Sequence, residues 1–212
     1  MNYSTVLPQH RAIAKIYERD MDLVLVEELE SSNEFRIWLA SRVFGTDCFL
    51  SHLRATHSVV DESNRESDVI FRFHSKIDAS SEIGIKAILL ENKIDAIAQP
   101  NQGMDYGNRG KSGRDRGEWL DFKTCLVAPK SYLKSYLQTS SDEDSFDECI
   151  SYEEILSYFA SRKERDERFK WKARLVEDAI FKKQTGYAPV ISEEATAFVR
   201  EYHACAKVFE RL

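Results

Sequence analysis

Residues 83–96, IGIKAILLENKIDA, constrain this chain more than any other stretch. The run from 85 to 90 is aliphatic and β-branched, which suits a buried strand. Side chains alternate across an extended chain, so Glu91 and Lys93 share a face with Leu89, while Ile88, Leu90 and Ile94 turn to the other. A carboxylate and an ammonium projecting together from the end of an apolar strand are costly to bury unless something uses them. A divalent cation and a phosphate are the natural users.

The rest of the chain sets the bounds. Its 212 residues suit one sizeable domain or two small ones, and no internal repeat or low-complexity tract divides it. A hydrophobic share of 42% beside 31% charged residues is that of an ordinary globular protein. No apolar run approaches the roughly 18 residues of a membrane span. The start, MNYSTVLPQHRAIAKIY, lacks a basic segment followed by an apolar one. The expectation is a cytoplasmic protein with no membrane partner. Cys48, Cys125, Cys149 and Cys205 are far apart and form no CxxC, which fits reduced thiols better than a disulfide framework or a zinc site. The net charge of −6 does not announce a nucleic-acid binder, but the charge is unevenly placed. Arg109, Lys111, Arg114 and Arg116 gather in the glycine-rich segment 107–117, whereas 141–148, SDEDSFDE, is strongly acidic.

Read in order, an irregular lead gives way to a short helix carrying Ile13, Ile16 and Tyr17, then to an apolar-periodic piece at 22–29. Ser31-Ser32-Asn33-Glu34 matches a capping box, with Ser31 as cap, opening a helix that buries Phe35, Trp38, Leu39 and Val43 and stops at Gly45. A further helical turn is expected at 49–54. Strands are expected at 58–60 and at 68–74, where Val69, Phe71 and Phe73 face one side and Asp68, Ile70 and Arg72 the other. The polar stretch 77–82 then makes 68–75 and 83–94 a hairpin or meander. A helix at 98–106 with Pro100 in its first turn, a basic loop at 107–117, a strand at 123–128 and a brief helix at 131–137 follow. A strand at 149–152, one long helix over 153–184 and a last helix over 191–212, capped by Ser192, complete the chain. This is one α/β domain: a helical lead (1–56), a sheet core (57–135) and a helical C-terminal part (136–212).

Antiparallel pairing of 68–74 with 83–94 brings Asp68 to Glu91 and Lys93. The pattern is Asp68, 22 intervening residues, then Glu91-Asn92-Lys93. Here the sequence resembles the PD-(D/E)XK nuclease superfamily, of the stand-alone bacterial type. ESDVIF is similar to the family's first acidic strand and ILLENKIDA to its second. Gln102, Tyr106, Arg109 and Gly110 at their spacing, and then TCLVAPKSYL, resemble the downstream segments. The likeness covers about residues 60–135. Ser67 stands where the family name has proline. The fold implied is restriction-endonuclease-like, a central mixed β-sheet flanked by helices. The activity implied is Mg²⁺- or Mn²⁺-dependent hydrolysis of DNA phosphodiesters with little sequence preference, in an effector of anti-phage defence or of repair. The partner implied is double-stranded DNA, met by a homo-oligomer or a larger defence assembly.

The residue types suit that chemistry. Two carboxylates about 4 Å apart repel by roughly 4 kcal/mol at an effective dielectric of about 20, and a hard cation relieves this. Asp68 and Glu91 therefore read as metal ligands, and the resemblance adds the Asn92 backbone carbonyl. Lys93 orients or deprotonates the attacking water, or offsets charge developing on the phosphate. The resemblance gives Gln102 an auxiliary role beside the catalytic residues, and Arg109, Lys111, Arg114 and Arg116 hold the nucleic-acid backbone. Glu66 shares Asp68's face and competes with it. Glu34 resembles the acid that many family members place on an N-terminal helix, although the capping box explains it without function. Lys170, Lys172 and Arg174 fit the solvated face of a helix. His52 and His57, five apart, suit no shared helical metal face. The second reading is a non-catalytic nucleic-acid-binding or assembly module that keeps the fold; RNA as substrate is a third.

Overall fold

The structure, a computed structural model, describes residues 16–45, 48–60, 66–76, 83–96 and 99–185. Five strands form one mixed sheet in the order of the sequence. They are β1 (Phe49–Val60), β2 (Glu66–Lys76), β3 (Ile83–Asn92), β4 (Asp121–Ala128) and β5 (Glu148–Ser151). The first three make an antiparallel meander, whereas β4 runs parallel to β3 and β5 parallel to β4. Among the described residues, six helices cover the two faces: α1 (Glu18–Ser31), α2 (Asn33–Phe44), α3 (Gln102–Asp115), α4 (Lys130–Thr139), α5 (Tyr152–Ala160) and α6 (Glu167–Thr185). None of them is long and apolar enough to cross a membrane.

The strand alternation sorts the core into two layers. Val69, Phe71, Phe73, Ile88 and Leu90 pack beneath α1, α2, α5 and α6. Ile70, Ala87, Leu89 and Leu126 pack with Tyr106 of α3 and Tyr132 of α4 on the other face. Both β3 and β2 thus present the faces that their sequence pattern predicts.

Several expectations change. Residues 49–54 are strand, the start of β1, so the sheet begins earlier than 57 and, with β5, ends later than 135. β1 is an edge strand with two register shifts, and Leu50 and Leu53 are exposed on it. An edge carries little of the alternation that marks a buried strand. The long C-terminal helix is two helices, separated by a turn at 161–165. The N-cap of α2 is Ser32, whose Oγ accepts from Phe35 N at 3.2 Å; Ser31 is the last residue of α1. The helix expected at 191–212 lies outside the described residues.

The largest correction concerns the basic segment 107–117, most of which is helix α3 rather than loop. Two of its glycines, Gly110 and Gly113, serve close packing. Gly103, Tyr106, Gly110 and Gly113 are the buried residues of α3, at helical spacing on one side. A Cβ at Gly110 would stand 2.0 Å from the Phe122 ring, and one at Gly113 would stand 2.0 Å from Trp119. Pro100 precedes the helix, and the acidic segment braces its start. Asp144 accepts from Asn101 N at 2.9 Å and from Met104 N at 3.1 Å, where a carboxylate favours a helix N-terminus.

Candidate functional site

The β2–β3 ladder pairs Val69 with Leu90 and Ile70 with Leu89. One step further places Asp68 opposite Glu91, both on the α3 face and both at the end of the sheet where β3 stops. Asp68 Oδ2 accepts from Asn92 N at 2.9 Å. Glu91 is buried, and its Oε1 takes both the Lys93 ammonium at 2.6 Å and Gln102 Nε2 at 2.5 Å. Gln102 reaches it because α3 begins there. Tyr106, one turn along, donates its hydroxyl to Leu90 O at 3.3 Å and accepts from Asp68 N at 3.1 Å. The predicted set Asp68, Glu91, Lys93 and Gln102 therefore stands together. Glu66 lies two residues along β2, paired in the ladder with Val60.

Electrostatics marks the same place. Burial, then the charges of Glu91 and Asp22, push the Asp68 carboxyl up to about 8, against the Asn92 N–H and the Lys93 ammonium. Burial works to lower Lys93, but the Glu91 carboxylate, together with the charges of Glu18 and Asp68, outweighs it and holds the ammonium above its ordinary value. Tyr132, from α4, is pushed up to about 12 by burial, with the Lys93 charge opposing. Apposed carboxyl groups, one of them holding its proton near neutrality, form a site that a cation would complete by displacing that proton.

Sequence reading missed what lies behind these residues. α1 contributes Glu18 and Asp22, one turn apart on the helix. Asp22 is buried, and its Oδ1 accepts from Asn92 Nδ2 at 2.8 Å, while His57 Nε2 of β1 stands 3.5 Å from Oδ2. Burial raises the Asp22 carboxyl to about 6, against the Asn92 hydrogen bond and the His57 charge. Glu18 Oε1 accepts from Ile94 N at 2.9 Å. Tyr152, fully buried at the start of α5, donates its hydroxyl to Asn92 Oδ1 at 2.5 Å. The available signal was Asp22 among the inward positions Met21, Val24, Leu25 and Leu29 of an amphipathic helix.

Glu34 is not among these residues. It is exposed at the start of α2, where its carboxylate meets Arg162 at 3.2 Å and Arg165 at 3.1 Å. The capping box expected for it does not form. Among the basic residues of α3, Arg109 stacks 3.9 Å over the Tyr106 ring, next to the site. Lys111 and Arg114 are exposed further along, and Arg116, just past the helix, pairs with Glu118 at 2.8 Å. Of the basic residues on α6, Lys172 is buried and bridges Glu27 and Glu28 of α1, which removes it from any solvated face. His52 pairs with Glu30 at 3.2 Å, away from His57's partner.

A hard divalent cation fits the donors. Among the described residues no three or more His, Cys, Asp and Glu side chains gather as a ready-made metal cage. Two carboxylates and one peptide carbonyl are the donors expected for a cation that keeps several of its waters, as Mg²⁺ does. No family model matches the chain, and no curated protein or solved structure is significantly similar to it.

Proposed function

We propose that this protein is a metal-dependent deoxyribonuclease of restriction-endonuclease-like fold, cutting phosphodiesters with little sequence preference. The observation that carries the reading is the apposition of Asp68 and Glu91 across β2 and β3, with Lys93 on Glu91 and the Asn92 peptide on Asp68. The meander β1–β3 joined through α3 to a parallel β4 supports the finer fold assignment.

Asp68, Glu91 and the Asn92 carbonyl would hold Mg²⁺ or Mn²⁺. Such an ion, when bound, polarises a phosphodiester and lowers the pKa of a water. The protein's own part follows from its groups. The Lys93 ammonium, held charged beside Glu91, is placed to stabilise negative charge developing on the phosphate. Gln102 fixes the orientation of the Glu91 carboxylate through Oε1. Tyr106 ties the start of α3 to both strands, keeping Asp68 and Gln102 in register. Arg109 beside Tyr106, with Lys111 and Arg114 along α3, gives the DNA backbone a cationic track. A defence or repair effector is the setting suggested for such an enzyme.

The test is incubation of purified protein with linear and supercoiled DNA in Mg²⁺, Mn²⁺ or EDTA, beside Glu91→Ala. Metal-dependent cutting that the substitution abolishes is the expected result. Intact DNA with either metal would replace the reading with a non-catalytic binding module, and cutting of an RNA control alone would change the substrate.

A further inference from the structure

We infer that Asn92 is a positioning residue, its side chain clamped by Asp22 and Tyr152 so that its peptide is held against Asp68; the inference rests on the nuclease reading. The ladder between β2 and β3 ends at Val69 and Leu90, whereas the ladder between β3 and β4 continues to Asn92 and Val127. The Asn92 peptide therefore sits where one neighbouring strand has stopped pairing. Its N–H goes to a side chain, Asp68 Oδ2, instead of a strand carbonyl. β4 still holds the following peptide, where Lys93 N donates to Val127 O at 2.9 Å, so the freedom left is a tilt of the 92 N–H away from Asp68.

The side chain on the opposite face prevents this. Asn92 is fully buried, and three of the four hydrogen bonds its amide can make are formed, including both donors. Nδ2 donates to Asp22 Oδ1 at 2.8 Å and to Glu18 O at 3.2 Å; Oδ1 accepts from Tyr152 OH at 2.5 Å. Two helices, α1 and α5, thus grip one side chain. Ile94 N, held by Glu18 Oε1 at 2.9 Å, braces the next peptide but one. Lys93 lies between these two fixed points.

Packing alone does not call for this arrangement. Leu90 and Ile94, on the same face of the strand, are apolar and fully buried. An apolar residue at 92 would fill the same layer without requiring a buried carboxylate and a buried hydroxyl to satisfy it, and burying those groups is costly. What the amide adds is direction. It aims the 92 N–H at Asp68 and fixes the chain from which the Glu91 and Lys93 side chains project.

Tyr152→Phe tests the clamp, because it keeps the ring and removes the hydroxyl. Amide exchange by NMR should quicken about tenfold at Asn92 while Leu89, within the strand, exchanges as in the wild type. The kcat for DNA cleavage should fall by about tenfold with KM unchanged, as for other supports of metal ligands. Unchanged exchange at Asn92 would overturn the inference whatever the activity. Faster exchange with an unchanged kcat would also overturn it, since the contact would then serve packing alone. A wild-type protein that does not cut, with exchange at Asn92 still quickened in the variant, would strike at the nuclease reading and leave the clamp standing. Asp22→Ala removes the other arm and is read by exchange at Asn92 alone, since the Asp22 charge also acts on Asp68; unchanged exchange there would overturn the inference too, so that the outcome does not hang on one variant folding.

Discussion

Two acids in different surroundings show what separates a finished contact from a site. Glu34, exposed at the start of α2, is met by Arg162 and Arg165, whose hydrogen bonds and charges hold its carboxyl below the ordinary value. Asp68, at the end of the sheet, is buried against Glu91 and Asp22, which push it up to about 8. Glu34 has its counter-charges in the fold. Asp68 and Glu91 share one lysine, Lys93, and Asp22 adds its own charge to theirs. A further positive charge, a cation, would resolve the second arrangement and adds nothing to the first.

Substitution breaks the comparison most sharply. Asp68→Asn and Lys93→Ala should each lower DNA cleavage by roughly 10²–10³-fold or more, the scale of losing one charge-stabilising group from a reacting centre. Circular-dichroism melting should show both variants folded. Glu34→Ala should cut at the wild-type rate and melt nearly unchanged, since exposed ion pairs contribute little. A Glu34→Ala protein as inactive as Lys93→Ala would return Glu34 to the site and undo the contrast.

Acidity sharpens the comparison without any substrate. Asp68 has a folded pKa of about 8, above its value of about 4 in an unfolded chain. Its contribution to stability is therefore fully present below pH 4 or so and is lost as pH rises through about 8, because over that window the folded state binds the extra proton. Asp22, raised to about 6, acts in the same direction over a narrower window. Glu34, whose pKa is lowered, contributes above its unfolded value and loses that contribution as pH falls. Metal-free protein should therefore melt several degrees higher near pH 5.5 than near pH 8, and Asp68→Asn should flatten most of that slope. Calorimetric Mn²⁺ titration should tighten with rising pH as the proton is given up. A melting temperature that rises from pH 5.5 to pH 8 would show that Asp68 is ionised in the fold.

The contrast also explains what the sequence made legible. The facing of Glu91 and Lys93 followed from the two-residue period of a strand, and Asp68 from the register of a hairpin with a polar turn. Both depend on local geometry. The tie of Asp22 and Tyr152 to Asn92 was not legible, because Asn92 is 70 residues from one and 60 from the other. Only the packing of α1 and α5 on the sheet brings them together. Glycines misled in a different way. Gly107, Gly110 and Gly113 suggested a loop by composition, but Gly110 and Gly113 are what allow α3 to lie against Phe122 and Trp119. Their helical spacing reads as a packing face only once the rings they make room for are known.

The smallest expected effect extends the comparison from acids to bases. Arg162 and Arg165 are occupied by Glu34, and Arg116 by Glu118 at 2.8 Å. Lys111 and Arg114 are exposed on α3, with Arg114 over the Phe122 ring at 5.9 Å. If counter-charges within the fold mark a finished contact, the exposed pair should carry the DNA backbone and the paired one should not. Lys111→Ala with Arg114→Ala should weaken binding to inactive Glu91→Ala protein by about the same factor for every DNA sequence, and should lower the salt slope by about one for each cation removed. Arg116→Ala should change the slope less, because it removes a cation already neutralised by Glu118, which keeps Arg72 as a partner at 3.7 Å. Filter binding over a range of salt concentrations reads both. Equal slopes for the double substitution and the wild type would take α3 out of the DNA path and leave Arg109, stacked on Tyr106, as its remaining cation beside the site.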